Sequence, residues 1–254
     1  MLFRSRSGQR VATFTLRTAG TYESRLQEKI GALPAGWPGA MLAYLPGWHG
    51  VDLRVTVAGD DGAAVQRVAQ QALADLRGVV GAYVYAEGAT TMEEVVGARL
   101  LARGWRIAVA ESCTGGLVTK RLTDVAGSSR YVERGFVTYS NESKVQLLGV
   151  RDADLATHGA VSAEVAAQMA RGAAERAGAE LGVGVTGIAG PDGGTADKPV
   201  GTVFIAIHDQ QAGTATRQLK MFGTRIAIRE RSTQTALDMV RRRLEGLDLA
   251  PPRD

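Results

Sequence analysis

A single cysteine, Cys113, leaves this chain without an internal disulfide framework and suits a reducing compartment. Histidine is nearly as scarce. His49, His158 and His208 lie far apart and no Cys/His cluster forms, so there is no ligand set for a structural zinc. No apolar run approaches the roughly 20 residues a membrane span needs. The basic start, Met1-Leu2-Phe3-Arg4-Ser5-Arg6-Ser7, is followed by Arg10 and Arg17, which removes a secretory h-region and makes the cytoplasm the expected location. The net charge of +4 suits phosphate-bearing small molecules and is too slight an imbalance to imply nucleic acid. What is plentiful is glycine, 32 in 254 residues, in a chain long enough for one large or two modest domains.

The first part reads as a small α+β unit. Residues 11–17 are strand-like, and residues 22–30 carry helical charges up to Gly31. Residues 31–50 form a turn-rich stretch holding three prolines, Trp37 and Trp48. Residues 51–57 alternate apolar and polar, the period of a half-buried strand. Val65, Val68, Leu73 and Leu76 have helical spacing, and residues 81–85 make a last strand before a boundary at Glu87-Gly88-Ala89. The spacing of Thr91 and Glu94 is that of a capping box opening a helix that Gly104 can stop. Strands follow at 105–110 and 136–140, Asn141 is placed to cap a helix over 142–148, and Ser162 opens an amphipathic helix ending at Gly178. Strands at 181–186, 202–208 and 214–221 precede a final helix over 225–244. Helices alternating with strands, then two adjacent strands, indicate a layered α/β domain with a mixed sheet.

Chemistry gathers at Glu111-Ser112-Cys113-Thr114-Gly115-Gly116, where a strand gives way to a glycine-rich helix start. A side chain at a strand's C-terminal end can face a ligand crevice, and a helix N-terminus offers free N–H groups for an anion. Ser112 needs a base to become a nucleophile. The histidines are badly placed for that, and no G-x-S-x-G elbow surrounds the serine. Tyr139 and Lys144 can project over the same sheet edge. A serine–lysine pair requires a neutral amine, and lowering a lysine from about 10.4 to about 7–8 costs roughly 3–5 kcal/mol, which burial can supply. Cys113 is the rival nucleophile, although a free cysteine is commonly a small buried apolar residue. Gly187 to Gly194 forms a second strand-end glycine cluster suited to close ligand approach, without a Walker or dinucleotide spacing. Arg225 and Arg229, four apart on one helix face, are suited to a phosphate or carboxylate.

These segments in order, with Ala126-Gly127-Ser128-Ser129, Gly135-Phe136-Val137-Thr138-Tyr139-Ser140-Asn141-Glu142-Ser143-Lys144, His158-Gly159-Ala160-Val161-Ser162, Thr186-Gly187-Ile188-Ala189-Gly190-Pro191-Asp192-Gly193-Gly194 and Lys198-Pro199-Val200-Gly201-Thr202-Val203, resemble the CinA C-terminal family of nicotinamide-nucleotide amidases over residues 92 to 245. Residues 15–88, with Leu16-Arg17-Thr18-Ala19-Gly20 and Glu23-Ser24, resemble the KH-like middle domain of longer competence/damage-inducible proteins of that group. The division this implies is an N-terminal remnant or arm at 1–14, a KH-like α+β domain at 15–88 and a layered α/β/α amidase domain at 89–250. The resemblance implies hydrolysis of the carboxamide of nicotinamide mononucleotide to nicotinate mononucleotide and ammonia, for NAD recycling, without metal or organic cofactor. Ser112 would attack, Lys144 and Tyr139 would move the proton, and N–H groups near Thr114 to Gly116 would hold the oxyanion. Substrate contacts would come from Glu111, Thr114, Gly115, Gly116 and Asn141. Thr186, Gly187, Ile188, Ala189, Gly190 and Arg225 would take ribose and phosphate. A homodimer is implied as well.

Two departures stand out. The chain starts after the molybdopterin-binding-like domain of longer members, so their pyrophosphatase activity toward ADP-ribose is not expected. Phe222-Gly223-Thr224-Arg225 also lacks the acidic residue that the family usually carries before this arginine. A KH module clamps nucleic acid with a GXXG loop. Gly36-Trp37-Pro38-Gly39 and Gly47-Trp48-His49-Gly50 have the letters without a Lys or Arg between the glycines, so nucleic acid is not the expected partner. The alternative function is a catalytically silent nucleotide-binding protein acting through its first domain in competence or the DNA-damage response.

Overall fold

The computed structural model describes residues 2–4 and 9–251. Two compact units divide the chain, residues 1–91 with 250–254 and residues 92–249. In the first, β1 (Leu2–Arg4), β2 (Arg10–Thr18), β3 (Ala40–Gly47), β4 (Gly50–Gly59) and β5 (Val84–Glu87) form one antiparallel sheet. Strand β2 already starts at Arg10, inside the stretch assigned from sequence to an arm. Helices α1 (Glu23–Ile30) and α2 (Gly62–Val80) bring Leu26, Ile30, Val65, Ala72 and Leu76 into one core with Val51, Leu53, Val55 and Val57 of β4. The period-2 burial of β4 is the alternation its sequence showed.

Strand β3 corrects the turn-rich reading of residues 31–50. Its half-exposed positions give little apolar alternation, and its pairing with β4 supplies the order instead. Both GXXG stretches have structural uses. Trp37 is buried in the core and donates from Nε1 to Asp75 at 2.8 Å. Gly47 and Gly50 pair across the β3–β4 hairpin, with Trp48 and His49 at its tip.

The second unit contains α3 (Met92–Arg103), β6 (Ile107–Glu111), α4 (Leu117–Thr123), β7 (Val132–Val137), α5 (Asn141–Leu148), α6 (Asp152–His158), α7 (Ala163–Ala177), β8 (Leu181–Gly187), β9 (Thr202–Asp209), β10 (Gly213–Lys220) and α8 (Arg225–Glu245). The sheet order is β10-β9-β8-β6-β7. Strands β8, β6 and β7 are parallel, whereas β9 and β10 run antiparallel, giving the mixed sheet expected from sequence. Ala108 and Ala110 of β6 share a cluster with Val165, Met169 and Ala173 of α7. Alternation then sends Ile107, Val109 and Glu111 to the opposite face, where α4 and α8 pack.

Helix α7 lies almost on the backbone of β8. A Cβ built on Gly182 would stand 2.0 Å from the Ala170 carbonyl oxygen, and one on Gly184 would stand 2.3 Å from that of Ala166. The small-residue strand Leu181-Gly182-Val183-Gly184-Val185 is therefore the imprint of a helix that touches it directly. Ser162 caps α7 by accepting from Val165 N–H, and Gly178 ends it in the left-handed region, as the sequence led us to expect. At α5 the cap is Ser140, which accepts from Ser143 N–H, and not Asn141, which is the first helical residue. Among the described residues no helix is long and apolar enough to cross a membrane.

Candidate active site

The three parallel strands β6, β7 and β8 end on the same sheet edge, where α/β sheets bind ligands. Strand β6 delivers Ser112, the turn after β7 delivers Tyr139 and leads into α5 with Lys144, and β8 runs into Gly187 to Gly190. Antiparallel β9 starts at this edge and β10 ends there, which brings Arg225 at the start of α8 to it too.

Ser112 is held by its own backbone. Its N–H donates to the Val185 carbonyl at 2.9 Å, and its carbonyl accepts from Gly115 N–H at 3.0 Å. Gly115 and Gly116 both sit at positive φ, 62° and 95°, in the left-handed region that L side chains rarely adopt. The two glycines thus let the chain reverse from strand into helix within four residues of the serine.

Glu111 was expected to face substrate. Its carboxylate is fully buried and instead accepts four hydrogen bonds from the start of α4: from the N–H groups of Gly116, Val118 and Thr119 at 3.0, 3.1 and 2.9 Å, and from the Thr119 hydroxyl at 2.9 Å. This is the inward-facing position that strand alternation dictates. The carboxylate satisfies the orphan donors of the helix end, so they are not open to a ligand oxyanion. The Gly115 and Gly116 N–H groups are both engaged, which leaves those of Cys113 and Thr114, neither donating to another residue among those described. Replacing Glu111 by alanine strips three backbone donors of their acceptor. We expect a loss of about 2–4 kcal/mol in stability, read from the urea midpoint of unfolding.

Lys144 is 1% exposed. Its Nζ lies 3.4 Å from Ser112 Oγ and approaches the carbonyl oxygens of Thr138, Tyr139 and Ser140 at 2.9, 3.5 and 3.4 Å. Burial pulls its pKa below the ordinary lysine value, while the Cys113 thiol and Glu142 act against that shift. Burial also pushes the Cys113 thiol up to about 12, outweighing its own N–H and the Arg229 and Arg225 guanidiniums, which draw it down. The thiol is therefore neutral at physiological pH and is a poor nucleophile there. Being neutral, it does little to hold a charge on Lys144.

The Tyr139 hydroxyl is not on the serine. The ring is 62% exposed, and its oxygen accepts from Arg225 Nη2 at 3.0 Å. Arg225 also donates from Nη1 to the Gly190 carbonyl at 2.7 Å, so its guanidinium joins the β7–α5 turn to the glycine loop. Thr224, at the position where the resemblance implied an acidic residue, caps α8 by accepting from Ala227 N–H at 3.3 Å. Threonine and aspartate are both good N-caps, so the departure keeps the helix start that presents Arg225.

Of the other residues carried over by resemblance, Thr186 is buried and donates its hydroxyl to the Ala160 carbonyl at 2.8 Å. Ile188 pairs both backbone groups with Gly201 and Thr202, whereas Ala189 and Gly190 have N–H groups without a partner among the described residues. Asn141 is exposed at the first position of α5. Arg229 is more closely engaged than its sequence reading suggested, donating from Nη2 to the Thr114 carbonyl at 2.7 Å. A helical spacing of four from Arg225 was the only signal for it.

Fold and site together define a class: a layered α/β domain whose parallel strands present a half-buried serine beside a buried lysine at their carboxyl ends. The CinA C-terminal domain family matches residues 89–244, and the KH domain of damage-inducible protein CinA matches residues 13–86. This chain belongs to the CinA family. It is 44% identical over 236 residues to a CinA-like protein of Chloroherpeton thalassium, covering 91% of this chain and 56% of that protein. It is 45% identical over 246 residues to a putative competence-damage inducible protein of Symbiobacterium thermophilum, covering 93% and 58%. The chain thus spans a little over half the length of these curated relatives. Among solved structures, a competence/damage inducible protein from Agrobacterium tumefaciens is similar at 44% identity and a TM-score of 0.55, over 59% of this chain and 93% of that one. A CinA superfamily protein from Klebsiella pneumoniae is similar at 32% identity and a TM-score of 0.58, over 62% and 99%.

Proposed function

We propose that this protein hydrolyses the carboxamide of nicotinamide mononucleotide, releasing ammonia and nicotinate mononucleotide. The observation that carries the reading is the buried Lys144 amine within 3.4 Å of the Ser112 hydroxyl, with its pKa lowered by burial. A neutral amine can accept the serine proton, which an ordinary exposed lysine, charged at pH 7, cannot do.

In this reading Ser112 Oγ attacks the amide carbon and its proton passes to Lys144 Nζ. The carbonyl oxygen becomes an oxyanion beside the N–H groups of Cys113 and Thr114, which bond no other residue among those described. The C–N bond then breaks, the amine takes the proton from Lys144, and ammonia leaves an ester on Ser112. Water cleaves that ester as Lys144 takes its proton and returns it to the departing Ser112 oxygen, giving the free acid, which ionises to the carboxylate, with the serine hydroxyl and neutral amine restored. Tyr139 serves the nucleotide side of the crevice, since its hydroxyl is bonded to Arg225 and makes no hydrogen bond to Ser112 or Lys144. Arg225 keeps three N–H donors beyond the two it uses, which suits a phosphate.

Incubating purified protein with nicotinamide mononucleotide should give ammonia and nicotinate mononucleotide in equal amounts. Binding of the nucleotide, measured calorimetrically, without any ammonia would assign the crevice to a silent nucleotide-binding protein instead.

A further inference from the structure

Arg229 starts a chain of hydrogen bonds that ends beside the nucleophile. Its Nη2 donates to the Thr114 carbonyl at 2.7 Å. The N–H of that same peptide group, on Gly115, donates to the Ser112 carbonyl at 3.0 Å. The Ser112 carbonyl shares its own peptide group with the Cys113 N–H, which donates to no other residue among those described. A guanidinium and two peptide groups are thus connected head to tail, and the last donor is bonded to no other residue among those described. Hydrogen bonds in series polarise one another, and a charged donor at the head makes the first of them stronger.

The rest of the surroundings make Arg229 a fixed part of the turn. It follows the buried Ala227 and Ile228 on a 21-residue helix. A Cβ on Gly115 would stand only 3.1 Å from its Nη2, so glycine there gives the guanidinium room to lie against the turn. Its Nε is buried with no partner, and the bond to Thr114 is its one side-chain hydrogen bond among the described residues. Among the described residues this arginine is therefore not half of an ion pair.

We propose that Arg229 is a positioning residue for amide hydrolysis: it fixes the Ser112 turn and, through the Thr114 and Ser112 peptide groups, strengthens the Cys113 N–H as a donor to the tetrahedral oxyanion. The inference rests on the hydrolytic reading above. The oxyanion exists only once the Ser112 Oγ–carbon bond forms, so the effect falls on kcat and leaves KM alone. Arg225, bonded across the crevice to Tyr139 and Gly190, has the opposite signature of a group that binds the nucleotide.

The test compares Arg229→Gln and Arg229→Lys with wild type on nicotinamide mononucleotide, together with the amide proton shift of Cys113 in each labelled protein. Arg229→Gln should lower kcat about tenfold or more with KM within about threefold. Arg229→Lys, which can still donate to Thr114, should recover most of that loss. The Cys113 amide proton should move upfield in the glutamine variant and return in the lysine variant, both folded by far-ultraviolet circular dichroism. A rise in KM with kcat unchanged would make Arg229 a substrate ligand and overturn the proposal. An unmoved Cys113 shift in Arg229→Gln would overturn it as well. That second measurement needs no turnover, so it decides the relay even if wild type releases no ammonia and the hydrolytic reading fails.

Discussion

Ser112→Ala is expected to lower kcat/KM for nicotinamide mononucleotide by at least about 10³-fold, while Cys113→Ala stays within about tenfold of wild type. The asymmetry follows from two environments one residue apart. The serine hydroxyl is half-buried and has Lys144 Nζ as a neighbour. The cysteine side chain is 6% exposed and its thiol is held up to about 12, so almost no thiolate exists at pH 7. Deleting an acting nucleophile removes the covalent route altogether, whereas shortening Cys113 removes one sulfur atom from a packed position. Steady-state ammonia release from the two variants decides the matter, and a dead Cys113→Ala beside an active Ser112→Ala would move the chemistry to the thiol.

Lys144→Met should abolish turnover and, at the same time, change how stability depends on pH. Methionine fills nearly the same volume and has no proton to move. In wild type the folded-state pKa of Lys144 lies below its unfolded value near 10.4, because burial disfavours the ammonium. The unfolded chain then binds more protons between the two values, so stability rises with pH through that window. The contribution is complete above about 10.4 and is lost as pH falls through the depressed folded value. Melting wild type and Lys144→Met side by side from pH 6 to pH 10 should therefore show wild type gaining on the variant as pH rises. Parallel melting curves across that range would mean that Lys144 is buried as an ordinary charged ammonium, and the general-base role would go with it.

The serine turn could be placed from sequence because its signals are local. An apolar strand, a polar pair and two glycines that must turn left-handed are readable one after another. Lys144 was legible in the same way, one turn beyond a strand end. Strand β7 was read too late in the chain, at 136–140 instead of Val132–Val137, because its first residues, Val132-Glu133-Arg134, look polar on an edge strand open to solvent. Helix α6 was missed because its seven residues bury no side chain and so leave no apolar period. Glu111 and Tyr139 illustrate the other limit. Glu111 bonds the helix start only a few residues further on, whereas the Tyr139 hydroxyl bonds Arg225, which α8 brings from far along the chain. Direction along a strand is a local property, whereas a hydrogen-bond partner carried on a distant helix is a tertiary one.

The Glu111 carboxylate closes off the positive end of α4 from within, one residue before the nucleophile. The helix that shapes the serine turn is thereby made electrically self-contained, and the guanidiniums that reach this sheet edge are Arg225 and Arg229 of α8. The start of α4 is thus satisfied within residues 111–119, while Arg229 of α8 braces the serine turn from outside through Thr114. A change in the first turn of α8 would therefore alter the groups beside Tyr139 and Gly190 while leaving the hydrogen bonds that shape the start of α4 intact.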